Sequence, residues 1–203
     1  MRRRVLLTVV AGTLMTGLPA FADEPIQIGL IAPFSGPFAD YGKQMEDGIK
    51  AYQRLHGTTA GGRQVQIIVK DTTGPVPDVA KRLAQELVVR DKVDFLAGFG
   101  LTPEALAVAP IAQQAKKPMV IFNAASSSIT TKSDYVTRVS MTLPQISTPI
   151  ASWALKNGIK QVATVVADYA PGIDAENAFK QTFVAGGGQV VESVRVPLRN
   201  PEF

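Results

Sequence analysis

The chain has 203 residues, with 21 Lys and Arg against 17 Asp and Glu, a single histidine and no cysteine. That length suffices for one large core or two smaller ones. Without cysteine there is no disulfide framework and no lipid anchor on a thiol. With His56 as the lone histidine, no zinc site is expected, and no metal or cofactor.

Arg2-Arg3-Arg4, the apolar run Val5 to Leu18 and the small-x-small step Ala20-Phe21-Ala22 read as a cleavable export signal over residues 1–22. Its fourteen apolar residues fall short of the about 20 that a membrane span needs. The signal carries three arginines and no acid, so a mature chain starting at Asp23 is left near +1. That charge offers no electrostatic footprint for nucleic acid or an anionic membrane.

Ile26 to Ala32 is a nearly continuous apolar run rich in β-branched residues, as in a strand buried on both faces. Tyr41, Met45, Ile49, Tyr52 and Leu55 then recur at helical spacing, and Gly57 to Gly62 forms a loop. Val65 to Val69 predicts a second strand, and Val79, Leu83 and Leu87 a helix with Asp78 as its N-cap. Phe95 to Ala97 is a third strand. Thr102 then caps a helix over Pro103 to Gln114 with proline at N1, and Met119 to Phe122 is a fourth strand. A helix-poor stretch, Ala124 to Asp134, leads to an extended piece from Tyr135 to Ser140. Helical spacing resumes from Ile146 to Ala154. Gln161 to Ala167 predicts a strand, Ile173 to Ala185 a helix for which Asp168 is a candidate cap, and Gln189 to Val196 a last strand.

Strands and helices in alternation predict α/β lobes, each a doubly wound and mostly parallel sheet with right-handed crossovers. The lobe boundary is expected near Met141-Thr142, giving a first lobe over residues 23–141 and a partial second lobe over 142–203. Two strands and two helices do not complete a doubly wound lobe, so the second is expected to be incomplete and the chain truncated.

Ligands of open α/β sheets bind beyond the carboxyl ends of the strands. The loops there carry Ser35, Tyr41, Gly100, Leu101, Thr102, Ala124, Ala125, Ser126, Ser127 and Tyr169. Hydroxyls, aromatic rings and bare amides suit a neutral or anionic small molecule. A nucleophile elbow, a phosphate loop and a histidine base are all missing, and Gly98-Phe99-Gly100 has Pro103 where a dinucleotide fingerprint needs its third glycine. Binding without catalysis is therefore expected. Each residue also has a structural reading: Tyr41 lies on its helix's apolar stripe, Phe99 and Phe122 suit a core, and Ser126 to Ser128 suit a solvated turn.

Ile28-Gly29-Leu30-Ile31-Ala32-Pro33-Phe34-Ser35-Gly36-Pro37, then Tyr41-Gly42, Gly48, Asp71-Thr72, Ala84-Gln85-Glu86-Leu87-Val88, Asn123-Ala124-Ala125-Ser126 and Arg138, resemble the periplasmic leucine/isoleucine/valine-binding proteins in order along residues 26–196. The resemblance implies a periplasmic-binding-protein type I fold, two lobes joined at a hinge. It also implies a solute-binding component that serves the membrane permease of an ABC importer, expected to be a periplasmic monomer. The ligand implied is a small carboxylate-bearing solute: a branched-chain or other amino acid, or an aromatic acid. A ligand-sensing receptor domain of the amide-sensor type uses the same scaffold and stands as the alternative. By resemblance, Tyr41 lines the cleft, Thr102 grips the ligand's carboxylate, and Ala124 and Ser126 supply backbone and hydroxyl contacts. Tyr169 is displaced toward its strand relative to the family's Tyr-Gly step. The acid that holds an ammonium group in family members would lie beyond Phe203.

Overall fold

Ile26–Ala32 forms β1, and its last four residues are buried. The computed structural model describes residues 24–197, so the export signal expected over residues 1–22 lies outside the described residues. A short 3-10 turn, Gly36–Phe38, leads into α1, Ala39–His56. Next come β2, Thr59–Ala60; β3, Arg63–Asp71; α2, Pro77–Val89; β4, Phe95–Gly98; and α3, Thr102–Ala115. The first sheet ends with β5, Met119–Ile121, and β6, Val136–Arg138. After these come α4, Leu143–Lys156; β7, Gln161–Ala167; α5, Ala170–Ala185; and β8, Gln189–Val196.

The strands build a six-stranded sheet in the order β2-β3-β1-β4-β5-β6 and a separate parallel pair, β7-β8. The α/β class and the mostly parallel pairing agree with the sequence. The expected loop over Gly57 to Gly62 is instead a hairpin: Gly61 and Gly62 both take positive φ, and the tight turn they form pairs β2 antiparallel to β3. Residues 31, 96, 119, 121 and 136 turn toward α2 and α3, where Leu87, Phe99, Val108 and Ala109 complete the core. Gly29 belongs to that face: a Cβ there would sit 2.6 Å from a Leu87 methyl carbon, so the helix packs directly on strand backbone. The opposite face turns Ile28, Leu30, Phe95 and Ala97 toward α1, around a cavity of about 820 Å³.

Three helix starts differ from expectation. Val76, not Asp78, occupies the N-cap of α2; Leu101, not Thr102, that of α3; and Tyr169, not Asp168, that of α5. The first four N–H groups of a helix all lack intrahelical acceptors, so proline fits at N2 as well as N1. In α3 and α5 it stands at the second helical position, which moves the cap of α3 outward from Thr102 to Leu101 and places that of α5 at Tyr169.

In the smaller sheet, Ala151, Ala154 and Phe183 are buried between α4 and α5, with Phe179 stacked on Phe183 at 5.3 Å. Beside them Glu176, 2% exposed, accepts hydrogen bonds from Thr164 at 2.9 Å and Arg195 at 3.0 Å and pairs with Lys180 at 2.8 Å. The Lys180 bond comes first among the causes that bring its carboxyl down to about 2; burial opposes it, and Thr164 and Arg195 add to it. A depressed carboxyl stabilises the fold above its unfolded value, and that stability is lost as pH falls through its folded value. Acidification from about pH 5 to about pH 2 is therefore expected to cost the full-length protein about 2–3 kcal/mol at this site. Urea titrations should show a flatter pH profile over that range in Glu176→Gln. An identical profile would remove Glu176 from the account.

Candidate ligand site at the switch point of the first sheet

From β1 the chain moves outward to β3 on one side, and from β4 outward to β5 and β6 on the other. The carboxyl ends of β1 and β4 therefore flank the topological switch point, the place where open α/β sheets bind ligands. On the β1 side, Phe34 N–H donates to Asp71 at 2.8 Å and Thr73 N–H at 2.7 Å. Burial works to raise the Asp71 carboxyl, but the Ser35 hydroxyl and the backbone donors of Thr73, Phe34 and Ser35 outweigh it and hold the group below its usual range. Ser35 is thus exposed at the edge with its hydroxyl engaged by Asp71. Tyr41 stands in the first turn of α1, its ring stacked on Phe38 at 6.2 Å.

On the β4 side, Phe99 takes a φ of 62°, uncommon for a residue with a side chain, while donating its N–H to Ile31 O at 2.7 Å. That kink sets Gly100 against the opposite loop, where an added Cβ would meet Pro33 at 3.0 Å and Tyr41 at 3.5 Å. Leu101 and Thr102 follow at the start of α3. Thr102 is 2% exposed, and its hydroxyl has no hydrogen-bond partner among the described residues. The Nε of Arg138, the last residue of β6, and the hydroxyl of Ser140, two residues on, are likewise buried and unpartnered among the described residues.

The β5 loop is tied to this pair. Asn123 donates to Gly100 O at 2.8 Å and Ala124 N–H to Phe99 O at 3.0 Å. Arg138 donates to the carbonyls of Ser126 at 2.8 Å and Ala125 at 3.4 Å, which shapes the turn; burial lowers its guanidinium and the charge of Asp174 opposes that shift. Ser126 is buried, its hydroxyl 3.1 Å from that of Ser128. Ser127 donates both its N–H, at 2.7 Å, and its hydroxyl, at 2.9 Å, to Asp174 on α5. Tyr169, the residue before α5, is half-buried; burial first and the nearby Tyr41 second push its phenol upward. Tyr169 is thus near enough to Tyr41 for the two phenols to interact electrostatically, and Gly100 stands beside Tyr41.

Three residues of this edge were not anticipated: Glu104, Asp174 and the turn-shaping role of Arg138. Glu104 is fully buried in the first turn of α3. It accepts hydrogen bonds from the Thr72 hydroxyl and, at 3.3 Å, from Leu101 N–H. Burial pushes its carboxyl up to about 7 against both of those bonds, and the charge of Asp71 adds to the rise. A glutamate three residues after a cap is a readable signal, but it points to Glu104 only once the cap is placed at Leu101.

An open α/β sheet whose switch-point loops carry hydroxyls and backbone amides is the architecture of a solute-binding lobe. The chain belongs to the periplasmic binding protein family, which it matches over residues 25–203. It is 49% identical over 201 residues to Leu/Ile/Val-binding protein homolog 6 of Brucella abortus, covering 99% of this chain and 51% of that protein. A solute-binding protein of an ABC transporter from Rhodopseudomonas palustris BisB5, in complex with 3,4-dihydroxybenzoic acid, is 52% identical with a TM-score of 0.85. That match covers 89% of this chain and 49% of that one. A second R. palustris solute-binding protein, in complex with 4-hydroxybenzoate, is 50% identical with a TM-score of 0.86, over 89% of this chain and 49% of its own. The chain spans about half the length of each of these relatives. The family's members are solute-binding transport proteins rather than enzymes.

Proposed function

We propose that the whole protein is the extracytoplasmic solute-binding component of an ABC importer, and that it captures an aromatic carboxylate of the hydroxybenzoate class for a membrane permease. The observation that carries this reading is the buried, unpartnered hydroxyl of Thr102 at the N-terminus of α3. Helix N-termini bring unpaired N–H donors and partial positive charge, so the pairing suits a carboxylate. The two phenols, Tyr41 and Tyr169, supply ring surface and hydroxyl partners for an aromatic body. The hydroxybenzoates held by the two R. palustris proteins support the aromatic choice.

Residues 23–141 and 142–203 belong to different lobes in this reading, hinged near Met141-Thr142. Ligand stabilises the closed state to the extent that it contacts both lobes at once. Ser35, Gly100, Leu101, Ala124, Ala125 and Ser126 frame the first-lobe wall, and Tyr169 is the second lobe's contact. Calorimetry on the full-length protein tests the assignment: 4-hydroxybenzoate is expected to bind at least about tenfold tighter than leucine. Leucine binding more tightly, or the methyl ester of 4-hydroxybenzoate binding as tightly as the acid, would overturn it.

A further inference from the structure

Glu104 takes no part in the site as described so far, yet it lies directly behind it. Its two carboxyl oxygens join the loop after β3, through Thr72, to the N-cap residue of α3, Leu101, and its neighbour two positions back is Thr102. We infer that Glu104 is a positioning residue that takes up a proton when the ligand's carboxylate binds at the N-terminus of α3. This rests on the carboxylate reading above and adds to it a coupled proton.

The physical reason is competition for one electrostatic resource. An ionised Glu104 in the first turn satisfies the N-terminal positive end of α3 from within and holds the Leu101 donor. A second anion brought to the same helix end meets that charge at low dielectric, where it is poorly screened. Protonation removes the repulsion and leaves the helix end to the ligand. The carboxyl already titrates near neutral pH, so the proton is cheaply taken up.

Among the described residues, no cation acts on Glu104. Asp71, at the end of β3, is the charged group that acts on it, and it too is anionic. On α2, which packs along α3, Asp78, Lys81 and Arg82 are exposed and Glu86 is paired with Lys70 at 2.7 Å. Asp40 of α1 is exposed, and α3 carries no other ionisable residue.

With the free group near 7 and the bound group higher, affinity is level below about pH 7. Above it, affinity falls by up to about tenfold per pH unit until the bound-state value is passed. The experiment is calorimetry of 4-hydroxybenzoate, benzoate and leucine binding to the full-length protein between about pH 6 and about pH 8.5. Paired buffers of different ionisation enthalpy report protons taken up per ligand. The wild type is expected to take up a fraction of a proton in this range. Glu104→Gln, which keeps both an acceptor for Leu101 and a partner for Thr72, is expected to take up none and to show a level pH profile. Binding without proton uptake in the wild type overturns the coupling and leaves the carboxylate reading standing, as does equal uptake in Glu104→Gln. Failure of all three acids to bind overturns the carboxylate reading, and the coupling with it.

Discussion

Thr102→Val in the full-length protein is expected to weaken 4-hydroxybenzoate binding about ten- to a hundred-fold while raising, not lowering, the stability of the unliganded fold. The two effects have opposite signs because the hydroxyl is buried without a partner. An unsatisfied buried polar group costs about 1–3 kcal/mol, and valine has the same shape without that cost, so unliganded stability should rise by about 1 kcal/mol. The ligand complex loses instead a hydrogen bond to a charged group, worth about 1.5–3 kcal/mol. Had Thr102 capped α3, the variant would lose about 1 kcal/mol of stability with affinity nearly unchanged. Leu101 holds the cap position and Thr102 makes no capping bond, so that outcome is not expected. Melting and affinity measured on the same variant decide the matter, and a lower melting temperature with unchanged affinity would exclude Thr102 from the site.

Asp174→Ala is the second large effect. Ser127 gives both of its donors to this carboxylate from 47 residues away, joining the loop after β5 to α5 on the smaller sheet. Charge-assisted bonds in a half-buried setting return part of their energy to water when broken, so the pair together is worth about 1–3 kcal/mol rather than the sum of two ideal bonds. Its loss should shift the lobes toward the open state, with faster ligand release and affinity lower by about tenfold or more. Ser127→Ala keeps the backbone donor and should lose less. Small-angle scattering of the unliganded protein should show a larger radius for Asp174→Ala. An unchanged radius with unchanged affinity would mean the contact does not bear on closure.

The elements of this fold were legible because their signals are local. Apolar runs of strand length alternate with residues at helical spacing, and burial on one face or both follows from that periodicity. The one missed strand, β2, is two residues long and apolar only at Ala60, so its pairing with β3 comes from the Gly61-Gly62 turn rather than from pattern. Caps were less legible. Whether a proline stands first or second in a helix changes nothing in local pattern but moves the cap by a residue, and with it the roles of Thr102 and Glu104.

By itself, then, the sequence determined the α/β class and the order of strands and helices, since each of these follows from residues a few positions apart. Only the tertiary structure decided which hydroxyls are already spoken for: that of Ser35 by Asp71, that of Ser126 by Ser128, and that of Thr102 by none of the described residues. Only it placed Glu104 in the core behind the helix end and Asp174 against Ser127. The reason is one of range. Burial and hydrogen-bond partnership depend on groups brought together from 32 or 47 residues apart, and no local pattern carries that information.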